Sequence, residues 1–228
     1  MAGMSIKSWI YHQSDSQTDN SISYRLRRKR MEKYLSFYKS TVMEEVRSEN
    51  RRVEILDLGG EEKFWHACDR YIIDTSNITM LNLEDRQADS SSESMKSIVG
   101  DATDLSVYAD QSVDLVFSNS VIEHVGDLSK MKAMADEAMR VGKHIYIQTP
   151  NKFFPIEPHF MMLFVQFLPK KLRVKAVAKK WNLSREEAIS QVNGTELLSL
   201  RTLKKLFPGC KVSREYFFGM TKSFSVFR

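Results

Sequence analysis

Apolar residues recur through the middle of this chain in short dense runs, each closed by small or polar residues. The first is Val53-Glu54-Ile55-Leu56, ending in Asp57-Leu58-Gly59-Gly60. The second, Ile78-Thr79-Met80-Leu81-Asn82-Leu83, ends in Glu84-Asp85, and the third, Ser97-Ile98-Val99, ends in Gly100-Asp101-Ala102. Val113-Asp114-Leu115-Val116-Phe117 ends in Ser118-Asn119-Ser120, and His144-Ile145-Tyr146-Ile147-Gln148 ends in Thr149-Pro150-Asn151. Runs of this length bounded by turn formers read as buried strands.

Helical spacing lies around and between them. From Tyr24 to Ser48 apolar residues fall three and four apart, at Leu26, Met31, Tyr34, Leu35, Tyr38, Val42 and Val46, which predicts an amphipathic helix. Glu61-Glu62-Lys63-Phe64-Trp65 starts another, with acids at its positive end. A third, from about Leu128 to Arg140, puts Leu128, Met131, Met134, Ala135 and Ala138 on one face. Strand and helix are read as alternating β-α-β from residue 53 to 151. That predicts an α/β fold, doubly wound and Rossmann-like, with a mainly parallel sheet and helices on both faces. Ser184-Arg185-Glu186-Glu187 fits a capping box for a helix to Val192, and a further helix spans about Leu200 to Phe207. Lys211 to Phe217 and Ser223 to Phe227 alternate around Gly219 as a closing antiparallel hairpin, which completes seven strands.

Composition bounds this picture without redirecting it. The 228 residues are 42% hydrophobic and 28% charged, as in ordinary globular domains. Cys68 and Cys210 share no motif, so neither a disulfide framework nor a zinc site is read. No secretory signal and no membrane-spanning run is read, and the expected location is cytoplasmic. Charge is divided. Residues 1–52 carry 11 basic and 6 acidic side chains, residues 53–158 carry 9 and 19, and residues 159–228 carry 14 and 4. The acidic middle and the basic flanks therefore suggest separate surfaces for site and partner. The basic run from Arg25 to Arg30 is read as a solvated helix face, and residues 1–22 as a loose polar arm.

In an open α/β sheet ligands bind outside the carboxyl ends of the strands. Gly59-Gly60 lets backbone approach a ligand there. After them stand Glu61, Glu62 and Lys63 with no third glycine. Carboxylates where a pyrophosphate would sit disfavour a dinucleotide, and a P-loop is missing as well. A ligand with cationic ends suits this site better.

These strand ends resemble, in order, the motifs of class I S-adenosylmethionine-dependent methyltransferases over roughly residues 50–152. The resemblance implies S-adenosylmethionine as cofactor. It implies that Asp57, Gly59 and Gly60 hold its methionine end. Asn82, with Glu84 two residues on, then meets the ribose, and Asp101 and Ala102 meet the adenine. Ser118 and Asn119 belong to the segment from Asp114 to Val125 beside the methyl group. Two departures stand out: Glu61 and Lys63 replace later glycines, and Asn82 replaces an acid.

Methyl transfer to an alcohol benefits from a base. The candidates are His124 and Glu123 after the fourth strand, and Glu157 and His159 in Phe153-Phe154-Pro155-Ile156-Glu157-Pro158-His159-Phe160. His159 is favoured, His124 second, and no metal-ligating set is read. The fourth strand lacks the Asn/Asp-Pro-Pro-aromatic signature of amine methylation, which favours a small molecule, lipid or saccharide acceptor. Residues 160–181 join an apolar run, Phe160 to Leu168, to a basic stretch ending in Trp181. A lid helix over the site is the favoured reading and peripheral contact with the inner face of a membrane the other; one segment can serve both. The loop and this run loosely resemble bacterial methyltransferases of surface-polysaccharide and glycolipid assembly.

The expected organisation is a polar arm and basic helix over 1–49 and a methyltransferase domain over 50–228, with 153–195 an inserted lid or substrate segment. The expected activity is O-methylation of a saccharide or lipid-linked saccharide, with no nucleic-acid partner. The alternatives are a soluble small-metabolite methyltransferase and a non-catalytic partner subunit of the same fold.

Overall fold

A computed structural model of the chain describes residues 22–66, 68–84 and 94–228. The polar arm, most of the Ser-rich loop at 86–96 and the side chains of residues 22–27 lie outside the described residues, and with them Arg25 and Arg27 of the basic run. Seven strands form one sheet in the order β3-β2-β1-β4-β5-β9-β8. They are β1 Val53–Leu58, β2 Ser76–Asn82, β3 Met95–Val99, β4 Val113–Asn119, β5 Gly142–Pro150, β8 Lys211–Phe217 and β9 Met220–Phe227. The first five are parallel, and β9 and β8 join them antiparallel at the β5 edge. This is the expected sheet, with the strand-order reversal between β1 and β4 that opens a crevice at their carboxyl ends.

Alternating side chains feed two cores. Leu56, Leu58, Val116, Ile145 and Ile147 face the helix at Leu128–Val141, which buries Met131, Met134, Ala135, Ala138 and Val141. Val53, Ile55, Ile78, Leu115, Phe117 and Tyr146 face the N-terminal helix instead. That helix, α1 Ile22–Phe37, continues through a π-helical turn, Tyr38–Val42, into α2 Met43–Val46. Its buried residues Tyr34, Tyr38, Val42 and Val46 recur every four positions. A spacing of four outruns the 3.6-residue α-turn, so the seam would drift off the sheet; the wider π turn takes up the excess. The segment read from sequence as a basic helix thus packs its buried side chains onto this face of the sheet, alongside Trp65 and Ile72. Of the described basic residues, Arg28 does pair with Glu32 in solvent, but Arg30 lies 3.7 Å from Glu215 on β8.

The short helices α3 Glu62–His66 and α4 Arg70–Thr75 follow β1, and α5 is the helix Leu128–Val141. The expected alternation fails between β3 and β4, where residues 100–112 are turns and no helix. Side-chain-capped turns at Asp101 and Asp104 cross this gap instead, each carboxylate accepting a backbone N–H two residues on.

After β5 comes a small subdomain: the hairpin β6 Ile156–Glu157 and β7 Met162–Leu163, a 3-10 turn at Val165–Phe167, and the helices α6 Lys170–Trp181 and α7 Arg185–Asn193. Ser184 and Glu187 make the reciprocal capping box. Phe160, Val165, Val174, Val177, Ala188 and Val192 give this subdomain its own core. The apolar run from Phe160 to Leu168 is not the helix read from sequence. Met161 and Phe164 take left-handed backbone conformations that end any helical path, and helix begins only after Pro169. The helix α8 Leu200–Leu206 then returns to the main core.

Candidate cofactor and active site

The crevice at the carboxyl ends of β1, β2 and β4 opens into a cavity of about 800 Å³. Its floor is the glycine turn. Gly59 has φ +78° and donates to Leu81 O at 2.8 Å, while the Asn82 amide donates to Gly60 O at 2.9 Å. A Cβ on Gly59 would stand 2.6 Å from a Val121 methyl, and one on Gly60 would stand 2.1 Å from Asp57 Oδ2. Both glycines are therefore demanded by packing, even though no later glycine follows.

Asp57 lies directly under this turn. Its side chain points to the core face that also holds Val53 and Ile55, and the Trp65 indole N–H donates to Oδ2 at 2.7 Å. Burial pushes the carboxyl up to about 7, with the Trp65 hydrogen bond pulling the other way. Phe64 and Phe117, with centroids 5.3 Å apart, make an aromatic side to the cavity. The β2 and β3 ends supply Asn82, Glu84, Asp101 and Ala102 to the lining. Asp101 Oδ1 caps the next turn, accepting from Thr103 N and Oγ1, each at 2.8 Å.

Of the residues read from sequence as cofactor-binding, Asp57, Gly59, Gly60, Asn82, Glu84, Asp101, Ala102 and Asn119 line this one cavity. Ser118 does not. It is fully buried and its hydroxyl donates to Leu58 O at 3.0 Å, which ties β4 to β1. Two contributors were not read. Ser120, at φ +58°, lines the cavity and hydrogen-bonds the Gln148 side chain at 2.7 Å. Trp65 fixes Asp57, and a lone indole eight residues beyond a buried acid leaves no pattern in sequence.

The cavity is also lined by His124. The subdomain brings His159 to it across 35 residues of sequence, Nε2 to Nε2 at 3.0 Å. His124 Nδ1 faces Gly194 O at 2.8 Å, and His159 Nδ1 faces Glu157 Oε1 at 2.7 Å. Glu157 is buried and also accepts from Phe160 N at 2.6 Å. Glu123 is wholly buried, with Oε2 taking the Thr149 hydroxyl at 2.9 Å and Oε1 4.0 Å from His159 Nε2. Burial pushes Glu123 up to about 7. Burial also lowers His124; it pulls on His159 too, but there the Glu157 carboxylate outweighs it and the net shift is upward. All four base candidates named from sequence thus form one cluster.

Residues 58–147 match the methyltransferase domain family model. The fold is that of the class I methyltransferases. The DszA carbon methyltransferase is 12% identical and superposes with a TM-score of 0.59 over 97% of this chain and 58% of its own. The magnesium protoporphyrin IX methyltransferase of Synechocystis, solved with bound S-adenosylhomocysteine, is 9% identical over 97% of this chain and 92% of its own, at a TM-score of 0.49. A methyltransferase from Methanosarcina mazei is 16% identical over 78% and 92%, at 0.45. No curated protein sequence matches the chain.

S-adenosylmethionine fits the cavity. The glycine turn leaves room where a Cβ would intrude, the acids at the β2 and β3 ends suit hydroxyls and an amine, and the aromatic wall suits a cation.

Proposed function

We propose that this chain is an S-adenosylmethionine-dependent methyltransferase acting on an oxygen of a saccharide or lipid-linked saccharide. The observation that carries the reading is one cavity lined by both the glycine turn and His124, whose Nε2 meets His159 Nε2 at 3.0 Å. When bound, S-adenosylmethionine supplies a methyl group already activated by its sulfonium. The chain's residues then hold, orient and exclude water. Asp57, through the glycine turn, fixes the floor; Phe64 and Phe117 shield one side; Glu84 and Asp101 accept from polar ligand groups. The imidazole pair would meet the acceptor hydroxyl and take its proton as the methyl group passes from sulfur to oxygen.

The acceptor class is read from the subdomain. Phe153, Leu163, Phe164, Phe167, Leu168 and Leu172 are exposed, and Phe153 stacks on Phe167 at 6.1 Å. Beside them α6 carries Lys170, Lys171, Arg173, Lys175, Lys179 and Lys180. An apolar rim next to a cationic helix suits an acceptor that is itself held at an anionic lipid surface. Among the described residues no helix is long and apolar enough to cross a membrane, so contact would be peripheral.

Calorimetry with S-adenosylmethionine, followed by labelled-methyl transfer into glycan, lipid and small-metabolite extracts, tests the reading. Saturable binding with label in the lipid-linked saccharide fraction supports it. Label confined to small metabolites replaces the acceptor class. Absence of cofactor binding at millimolar concentration overturns the enzyme.

A further inference from the structure

The His124–His159 pair poses a problem in hydrogen placement. His124 Nδ1 faces a backbone carbonyl and His159 Nδ1 faces a carboxylate. Both partners only accept, so both Nδ1 atoms carry hydrogen. The two Nε2 atoms are then bare lone pairs pointing at each other across 3.0 Å. Glu123 Oε1 lies 4.0 Å from one of them, has no hydrogen-bond partner and belongs to a side chain with no solvent exposure. Three electron-rich atoms converge within 4.8 Å of one another. Isolated lone pairs and a buried carboxylate in that arrangement are costly unless a cation joins them.

We propose that Glu123, His124 and His159 form a binding site for one divalent transition-metal ion, of which Zn2+ is the expected occupant. Two imidazoles and one carboxylate are the ligand set of catalytic zinc sites that keep an open fourth position. Zinc bonds of ~2.0–2.2 Å in a tetrahedron imply ligand–ligand edges of roughly 3.3–3.6 Å. The 3.0 and 4.0 Å separations lie on either side of that edge and the third is within 4.8 Å, so side-chain rotations bring the three atoms onto one ion.

The surroundings are those a metal site requires. Ligating histidines characteristically give their other N–H to a carboxylate or a carbonyl, which fixes ring orientation. Here Glu157 does this for His159, and Gly194 O does it for His124. Thr149 holds the remaining oxygen of Glu123. Glu157 is in turn locked by Phe160 N. The subdomain that follows β5 supplies His159, Glu157 and Gly194, so its docking completes the site.

This deepens the proposed function and rests on it in one respect: the open position faces the cavity, because His124 lines it. With both Nε2 atoms on the metal the imidazoles would no longer act as bases; an acceptor hydroxyl at the open position would instead lose its proton to water more readily, as metal-bound oxygen does. Metal binding itself needs no acceptor and no cofactor, so the two readings fail separately.

The test is equilibrium dialysis of the full chain, stripped with chelator, against Zn2+ and separately Co2+, with metal content measured by mass spectrometry. Expected are one ion per chain and a visible Co2+ spectrum of low-symmetry, nitrogen-containing ligation. Glu123→Gln keeps the Thr149 contact, and with His124→Ala and His159→Ala it is expected to weaken binding at least 100-fold. His66→Ala, an exposed histidine on α3, is expected to leave it unchanged. Circular dichroism shows that each variant is folded. Calorimetry with S-adenosylmethionine is run in parallel. Failure to take up stoichiometric metal while the cofactor still binds overturns the metal site and leaves the function standing; the pair would then be bridged by a proton alone. Uptake unaffected by all three ligand variants overturns it as well. Metal uptake without cofactor binding upholds the site and removes the function.

Discussion

Gly59 and Gly60 offer a test in which backbone strain and side-chain collision are separable. Gly59 has φ +78° and Gly219, in the β8–β9 turn, has φ +76°, so a Cβ at either meets the same torsional penalty. A left-handed residue costs roughly 1–2 kcal/mol. At Gly219 nothing lies within 4 Å of the added methyl, and Gly219→Ala is expected to cost only that. At Gly59 two Val121 methyls would stand at 2.6 and 2.8 Å, which adds an overpacking term of roughly 1–3 kcal/mol. Gly60 has no left-handed penalty, but its Cβ would fall 2.1 Å from Asp57 Oδ2 and 2.4 Å from Cγ. The carboxyl must swing away, which breaks the Trp65 hydrogen bond and leaves a buried indole N–H unpaired, about 1–3 kcal/mol. The expected order of destabilisation is therefore Gly59→Ala first, Gly60→Ala second and Gly219→Ala least. The assay is urea unfolding by Trp fluorescence, with calorimetry for S-adenosylmethionine. Both turn variants are expected to lose cofactor affinity by tenfold or more, and Gly219→Ala none. In an Asp57→Ala background the Trp65 bond is already gone, so Gly60→Ala should cost about 1–2 kcal/mol less than in the native chain. Equal costs in the two backgrounds, or a Gly60→Ala variant that binds cofactor normally, would refute the account of the cradle.

Three further predictions follow from charge and exposure. Asp57, pushed up to about 7 by burial, favours the folded chain when protonated; stability is full below the unfolded value near 4 and falls as pH rises through 7. Asp57→Asn should flatten that fall, worth on the order of 4 kcal/mol by pH 8, in urea titrations run without cofactor, while costing cofactor affinity. Asp114 behaves oppositely. Burial raises it, but the Arg51 fork at 2.5 and 2.8 Å, Glu54 N and Lys143 outweigh this and hold it near 2. Its contribution of roughly 2 kcal/mol is present above pH 4 and lost as pH falls toward 2; the gap between native protein and Asp114→Asn in acid titration should close over that interval. Finally, Phe164→Ser with Phe167→Ser should abolish flotation with anionic vesicles while leaving thermal stability within a few degrees; flotation unchanged by both substitutions would exclude this rim as a membrane contact.

The sheet was legible because buried parallel strands leave dense apolar runs and because every run ended in residues that turn. Strand ends were less so: β2 begins two residues before Ile78, since Ser76 is wholly buried against Tyr38 rather than exposed as a polar residue suggests. The absent helix between β3 and β4 was misread from alternation alone, where Asp101 and Asp104 instead close turns with their own side chains. The cavity floor could be placed from Asp57-Leu58-Gly59-Gly60, but not the Trp65 hydrogen bond beneath it. Glu123, His124, Glu157 and His159 were each noticed as bases, whereas their convergence depends on the docking of a subdomain with its own core. Nothing in local spacing records that approach. The apolar run after Phe160 misled for a related reason: it supplies both the inside and the rim of that subdomain, so it lacks a single period.

The N-terminal layer of this fold is gripped by its last hairpin. Lys33 on α1 reaches Ser213 Oγ and Arg214 O on β8, each at 3.1 Å, across some 180 residues of chain. The helix can form early, yet the edge it clasps is made only once residues 211–217 are present. Until then β5 has an unpaired edge and Phe37, which packs on Phe227 and Tyr146, lacks part of its cover. Such a long-range closure slows folding and leaves a partly built sheet exposed to other chains while it waits. A chain truncated before residue 211 should therefore aggregate more readily than residues 1–228, as light scattering would measure.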